Sequence, residues 1–470
     1  GGVAAALAAT AMGARVIVTE PTAWLGGQLT SQAVPPDEHP WIERFGCTRR
    51  YRMFRDGVRA HARAHLPLTP AARDDVALNP GLGMVSRLCH EPRTAVAVLD
   101  GMLAGARTRG LLETWHHLEP VEARVEGDRV TSVIFRGGHD GDLVEIRARF
   151  ILDATELGDL LALGSVEHVN GAESQAETGE PHAVDGPAQP MNVQGFTHCL
   201  AVGLDRTPGA HHVIARPAQY DRWRDYVPRL SPPWPGRMLA WTYSHPVDLS
   251  PRTPVLLPEE AHEPGTFALW TYRRIIAVGN HVTGALPEEV TIVNWTQNDF
   301  IEGALADVGT EARDAAREGA RQLSLSLLYW MQVEAPRPDG GVGYPGLRPR
   351  GDVTGTPDGL AMAPYIRESR RIRAQATVTE QHVGAACRGV ARGAHPRRHR
   401  RRDFPGHPRW RRPRHEDEGD ERARQRHRHL EHRQLRSVAR EETVSGKRVG
   451  PLALIAALVL GAIIGGMAVE

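Results

Sequence analysis

Three observations predict an α/β fold with a dinucleotide-binding unit at its start. The chain opens on Gly1-Gly2 and runs directly into VAAALAATAMGARVIVTE, which reads as the end of a glycine-rich turn, a helix, a strand and a closing acid. A second glycine pair follows in WLGGQLTSQ at 24–32. Apolar runs at 121–125, 129–135 and 143–153 then have the length and spacing of a β-meander, the first pair joined by the turn EGDR.

In order, residues 2–12 suit a helix packed on a sheet and 15–19 a buried parallel strand. Glu20 stands where a dinucleotide-binding βαβ unit places the acid that takes a ribose hydroxyl, with Gly1 and Gly2 beside the pyrophosphate. Gly-Gly before an Ala-rich helix also occurs in plain α/β crossovers, so the second pair adds specificity: Gly26 and Gly27 let backbone approach a bound cofactor without a Cβ in the way. The strand and turn that would precede Gly1 are missing and there is no initiator Met, so the sequence reads as a fragment expected to bind its cofactor weakly or not at all. Residues 35–85 lack regular alternation and read as a cap insertion, after which the helix VLDGMLAGARTRG leads into the meander. The meander ends in ILDATELGD, where Asp153-Ala154-Thr155 and then Gly158-Asp159 suit a strand end beside a cofactor, or a strand that simply stops in a turn. EARDAAREGARQLSLSLLYWMQ is a helix whose stripe through Leu323, Leu327, Leu328 and Met331 reads as core.

Length allows two or three domains. The net charge of +1 hides an asymmetry: residues 388–449 hold 20 Arg and Lys against 9 acids, whereas residues 1–387 carry 37 against 46. The body thus has the mildly acidic balance of an ordinary enzyme. Cys47, Cys89, Cys199 and Cys387 are far apart and form no C-x-x-C pair, which speaks against a redox disulfide and suits a cytoplasmic setting. No H-E-x-x-H or regular Cys/His spacing argues for a metal.

The segments GGQLTSQAVPPDEHPWIERFG, NPGLGMVSRLCHEPR, ILDATELGDLLALG, NWTQNDF, RQLSLSLLYWMQVEAPRPDGG and APYIRESRRIR together resemble the bacterial FAD-dependent oxidoreductase family with its W-x-G-G-Q second glycine motif, related to the flavoprotein component of heterodisulfide reductases. The resemblance spans residues 1 to about 385. It implies a Rossmann-like FAD-binding domain with its first strand missing, an inserted β-meander and a mixed α/β substrate domain. The divisions are 1–34 and 86–169 for the FAD-binding domain, 35–85 for the cap, 170–330 for the substrate domain and 331–387 for a return segment. It implies FAD as cofactor, held by Gly1, Gly2, Glu20, Gly26, Gly27, Gln28, Asp153, Ala154, Thr155, Gly158 and Asp159, with Glu156 in place of the usual glycine, a variation the family shares. A small-molecule substrate and an electron donor or acceptor follow, neither identified. An iron–sulfur cluster enters only through the relatives, since this chain shows no ligand set for one.

Candidates for substrate chemistry are His90, Glu91 and Arg93 in CHEPR, Asn298 and Asp299 in NWTQNDF, and Arg367, Glu368 and Arg370 in PYIRESRRI. A histidine can move a proton and an arginine can pair with an anion, although Glu and Arg three apart also form plain ion pairs. Two rival readings are a nicotinamide-dependent dehydrogenase on the same fold and a membrane-tethered binding protein with a structural Rossmann remnant. The tract 388–440, with 18 Arg, 7 His and no Ile, reads as the product of a shifted frame in GC-rich DNA rather than a nucleic-acid-binding arm, because it begins where the family pattern stops and its two aromatics, Phe404 and Trp410, are too few to interleave the charges for base stacking. Residues 450–469 are uncharged and apolar, long enough for a helix to span a bilayer as an alternative membrane anchor.

Overall fold

The computed structural model describes residues 1–137, 141–230, 233–245, 248–260 and 267–384; the basic tract, the apolar segment 450–470 and Cys387 lie outside the described residues. The first block is a helix α1 (Gly2–Ala11) and a strand β1 (Val16–Glu20). Gly13, at φ 84°, makes the reversal between them, a conformation that favours glycine. Helix α2 (Arg49–His65) and helix α3 (Pro92–Thr108) then bring the chain back to strand β2 (Leu112–His116), which pairs parallel with β1 from Val16–Leu112 to Glu20–His116. Both strands therefore end on the same side, where Glu20 and His116 stand level. Ala6, Val18, Leu25, Leu103, Ala106 and Leu112 form the small core beneath this crossover.

The meander is as the spacing of apolar runs predicts: β3 (Leu118–Glu126), β4 (Arg129–Gly137) and β5 (Asp142–Arg147) pair antiparallel in that order. Gly127, at φ 64°, and Asp128 form the two-residue hairpin loop. The last strand is shorter than expected. Its ladder stops at Arg147, and Ile151–Thr155 continues without a strand assignment, leaving Phe150 and Leu152 half exposed. Side-chain bonds then organise the DATELGD turn. Asp153 accepts from the Thr155 amide (2.9 Å) and hydroxyl (2.7 Å) and from the Leu160 amide (3.0 Å), while the Thr155 hydroxyl accepts from the Asp159 amide (2.7 Å). Gly158 takes φ 65° before the short helix α4 (Asp159–Leu163). Asp153→Ala is expected to destabilise by about 1–2 kcal/mol, the cost of losing a local cap, read as a lower urea midpoint; an unchanged midpoint would show that the turn holds itself.

The second half is built on a four-stranded antiparallel sheet. Its strands are β6 (Leu200–Leu204), β7 (Arg274–Ile276), β8 (Val290–Val293) and β9 (Leu347–Pro349), in spatial order β7-β8-β6-β9. Helix α5 (Thr310–Val333) packs on it, with Leu323, Leu327, Leu328 and Met331 all sealed, as the stripe requires. Trp223, Trp241, Trp270, Trp295 and Trp330 fill the rest of this largest core. Pro-rich connections contribute aromatics here in place of long strands, which is why the region looks irregular in sequence yet holds the core cluster with the most residues.

Two histidines are sealed into these cores. His90 Nδ1 donates to the Glu91 carbonyl (2.9 Å) and the ring packs edge-on against Phe54; His198 Nε2 donates to the Ala361 carbonyl (2.8 Å). Burial pushes each imidazole down to about 4, whereas the unfolded ring titrates near 6.5. On acidification the unfolded chain takes up protons that the folded chain refuses until about pH 4. The stabilisation from both rings is thus complete above about 6.5 and is lost as pH falls toward 4. The urea midpoint is expected to be lower near pH 5 than at about pH 7.5; a flat profile would mean that neither ring is sealed.

Candidate cofactor and substrate site

The C-terminal end of the parallel pair carries the first group of predicted residues. Gly1 and Gly2 lie against the DATEL turn: a Cβ on either would sit 3.4 and 3.6 Å from the Ala154 Cβ, so small residues face each other there. No side chain caps α1, which leaves its first amides available to an anion. Glu20 accepts from the Thr22 amide (3.0 Å) and hydroxyl (2.7 Å). Burial raises its carboxyl above the ordinary range, with the Thr22 bonds opposing the shift. Glu156 is exposed at the surface, yet atoms crowded around its carboxyl desolvate it and raise it too, against a hydrogen bond from Gln32. Gly26 and Gly27 have φ 133° and 61°, and a Cβ on Gly27 would come within 2.7 Å of Glu156 Oε1. Glycine at 27 is thus what lets the backbone pass this close to the Glu156 carboxylate.

Behind the second glycine pair lies a polar group that motif reading missed. Asp37 accepts from Gln28 Nε2 (3.2 Å), Arg273 Nη1 (3.1 Å) and the Tyr365 hydroxyl (3.1 Å). Arg273 is 7 % exposed and remains charged, since the Asp37 carboxylate and neighbouring groups outweigh the burial that opposes its charge. Burial and the Asp37 charge raise the Tyr365 phenol, which stays protonated and donates. Asp37, Arg273 and Tyr365 are separated by 236 and 92 positions in the chain, and no short pattern links them.

The substrate candidates fall into separate places. His90 is enclosed as described, and Arg93 donates to the Asp352 carbonyl (2.7 Å) while lying over the Trp24 ring at 5.0 Å. Burial raises the Glu91 carboxyl, with the Arg350 charge opposing. Asn298 uses its amide inside the fold, accepting from the Trp295 amide (2.9 Å) and donating to the Val293 carbonyl (3.3 Å) and Ser324 (3.1 Å). Asp299 is brought to Arg367 (2.9 Å) and Thr197; the same guanidinium reaches Gly195, Thr197 and Asn294 and lies over Tyr365. Arg367 thus adjoins the Asp37 group. Glu368 pairs with Arg371 (2.9 Å). Arg370 ties the DATELGD turn to the second half through Asp159 (3.3 Å), Asp307 (2.6 Å) and the Leu157 carbonyl (3.0 Å). Burial raises the Asp159 carboxyl, opposed mainly by Arg370.

Among the described residues no group of His, Cys, Asp and Glu could hold a metal, and Cys47, Cys89 and Cys199 are free thiols. Nor is any described helix long and apolar enough to cross a membrane.

A helix–strand crossover that brings two glycine pairs, the uncapped first amides of α1 and the acid Glu20 to one end has the form of a dinucleotide-binding α/β protein. Its sequence matches the profile of the FAD dependent oxidoreductase family over residues 1–420, and the chain belongs to that family. The match takes in the beginning of the basic tract. Among solved structures, OxyS anhydrotetracycline hydroxylase from Streptomyces rimosus is similar at 13% identity and a TM-score of 0.23, with 80% of this chain and 52% of that chain covered. The chain thus spans about half the length of that neighbour. No curated protein matches the sequence significantly.

Proposed function

We propose that the protein binds FAD in the recess between Gly1-Gly2, Gly26-Gly27 and Ala154, and uses it to oxidise or reduce a small molecule, exchanging electrons with a further carrier. The observation that supports this most directly is the close approach of the two glycine pairs to the DATEL turn, where a single Cβ on Gly27 would meet Glu156. The residues present fit the cofactor: the first amides of α1 would face the pyrophosphate and Glu20 a ribose hydroxyl, while Gln28 would border the flavin side. When bound, FAD supplies the electron-accepting ring, and the protein contributes orientation and a water-poor polar setting.

The Asp37 group adjoins the proposed flavin side and Arg367 extends it, so the substrate would be held where Gln28, Tyr365 and Arg367 meet. Tyr365 is a neutral donor whose hydroxyl proton is committed to Asp37, which makes it an orienting group in the free protein. Arg93, packed on Trp24, would stiffen the WLGGQ turn from behind. His90, enclosed and neutral, would support the cap. The visible spectrum of the purified protein after incubation with FAD and removal of free cofactor tests the reading. Retained flavin bands are expected, against the weak binding expected from the sequence alone, because α1, Glu20 and both glycine pairs come together at one end of β1; their absence would overturn the reading. A nicotinamide-dependent dehydrogenase would instead leave the protein colourless and protect NADH.

A further inference from the structure

Gln28 is held in a single amide orientation. Its Nε2 donates to the Pro35 carbonyl (3.3 Å) and to Asp37 Oδ2 (3.2 Å), two groups that can only accept. Turning the amide over would place its carbonyl oxygen against a carbonyl and a carboxylate, so the arrangement is enforced by chemistry as well as by packing. Asp37 is in turn fixed by Arg273 and Tyr365. The consequence is that Gln28 Oε1 is presented as an acceptor, with no partner among the described residues, on a part-buried residue directly after the two positive-φ glycines.

We propose that Gln28 Oε1 accepts a hydrogen bond from a ring N–H of the isoalloxazine, and that Asp37 is the positioning residue that makes the amide an acceptor there. This rests on the FAD reading above and adds to it a defined contact and a reason for the buried Asp37–Arg273–Tyr365 group. A flavin offers two such N–H groups. N3–H is present in both oxidation states, whereas N5–H exists only after reduction, so the two contacts leave different thermodynamic traces. A bond to N3–H tightens both states equally. A bond to N5–H tightens the reduced state alone and raises the midpoint potential.

The test compares wild type, Gln28→Met and Asp37→Asn in the full chain. Met keeps the length of the side chain and removes the oxygen. Asn can offer Gln28 an N–H, so the amide is no longer forced one way. FAD affinity is read by flavin fluorescence, the potential by dye-coupled titration, and the fold by the flavin-free urea midpoint. Gln28→Met is expected to weaken FAD binding about 3- to 10-fold, the span of one ordinary hydrogen bond, with Asp37→Asn moving the same way by less. Equal weakening of both oxidation states at constant potential supports the N3–H contact. Weakening of the reduced state with a lower potential supports the N5–H contact. Unchanged affinity and potential in Gln28→Met, in a wild type that does retain FAD, would overturn the inference alone. A wild type that retains no flavin would overturn the FAD reading and this inference with it.

Discussion

Arg55→Met is expected to cost about 3–5 kcal/mol of stability, the range seen when one partner is removed from a buried ion pair. Arg55 has no exposed side-chain surface and pairs with Glu38, itself 2 % exposed, and with Glu43. Glu38 also accepts from the Tyr51 hydroxyl (2.7 Å) and from Ser86 (2.9 Å). This group ties α2 to the segments on both sides of it. Methionine fills much of the same volume, so the loss reports the stranded Glu38 carboxylate more than a cavity. Arg55→Met combined with Glu38→Gln is expected to recover a large part of the loss, because a neutral amide costs far less to bury than an unpaired charge. Urea midpoints of the wild type, both single variants and the double variant form the check. A single-variant loss under about 1 kcal/mol, the worth of an exposed pair, would mean that the pair is solvated. Because Glu38 adjoins Asp37 in the chain, flavin affinity is expected to fall together with stability.

The same helix shows where reading the sequence fails. The crossover, the meander and α5 are legible because each carries a local signal: a glycine pair before helix and strand, short apolar runs broken by the EGDR turn, and a stripe of leucines in α5. In α2 the buried face is Phe54, Arg55, Val58, Arg59 and Ala62. Two of its five inward residues are arginines, so a hydropathy period is broken just where the fold places its ion pairs, and the segment reads as patternless. The end of the meander fails for a different reason. ILDAT has the composition of a strand, but Asp153 satisfies the local backbone amides through its side chain, and a turn wins over a longer ladder.

The site divides in the same way. Glycine pairs, the acid at 20 and the DATELGD segment are local patterns with a backbone reason, and the structure gathers them at one end of β1. Asp37, Arg273 and Tyr365 meet only through the tertiary fold, and in sequence each is one more charged or aromatic residue. The arginines of PYIRESRRI are legible as polar candidates, yet their jobs differ. Arg367 joins the Asp37 group, while Arg370 fastens the DATELGD turn to Asp307.

Gly26→Ala is the sharpest test of the glycine turn. Gly26 has φ 133°, a region that L-residues avoid, and strain of this kind costs about 1–3 kcal/mol. A Cβ there would also stand 2.7 Å from Leu99 Cδ1 and 2.8 Å from Thr30 Oγ1. Leu99 is buried in the packing between α2 and α3, and the Thr30 hydroxyl is held by the Leu25 carbonyl (3.2 Å), so neither neighbour moves freely. Backbone strain and overpacking act together, for an expected loss of about 3 kcal/mol. The turn can escape by rotating its peptide units, and that would swing Gly27 and Gln28 away from the recess. FAD retention is therefore expected to be lost even where the variant stays folded. Far-ultraviolet circular dichroism, the urea midpoint and bound flavin, measured on the same preparation, separate the two effects. A folded Gly26→Ala protein that keeps stoichiometric flavin would show that the turn does not border the cofactor, and the recess would then have to be assigned to another ligand.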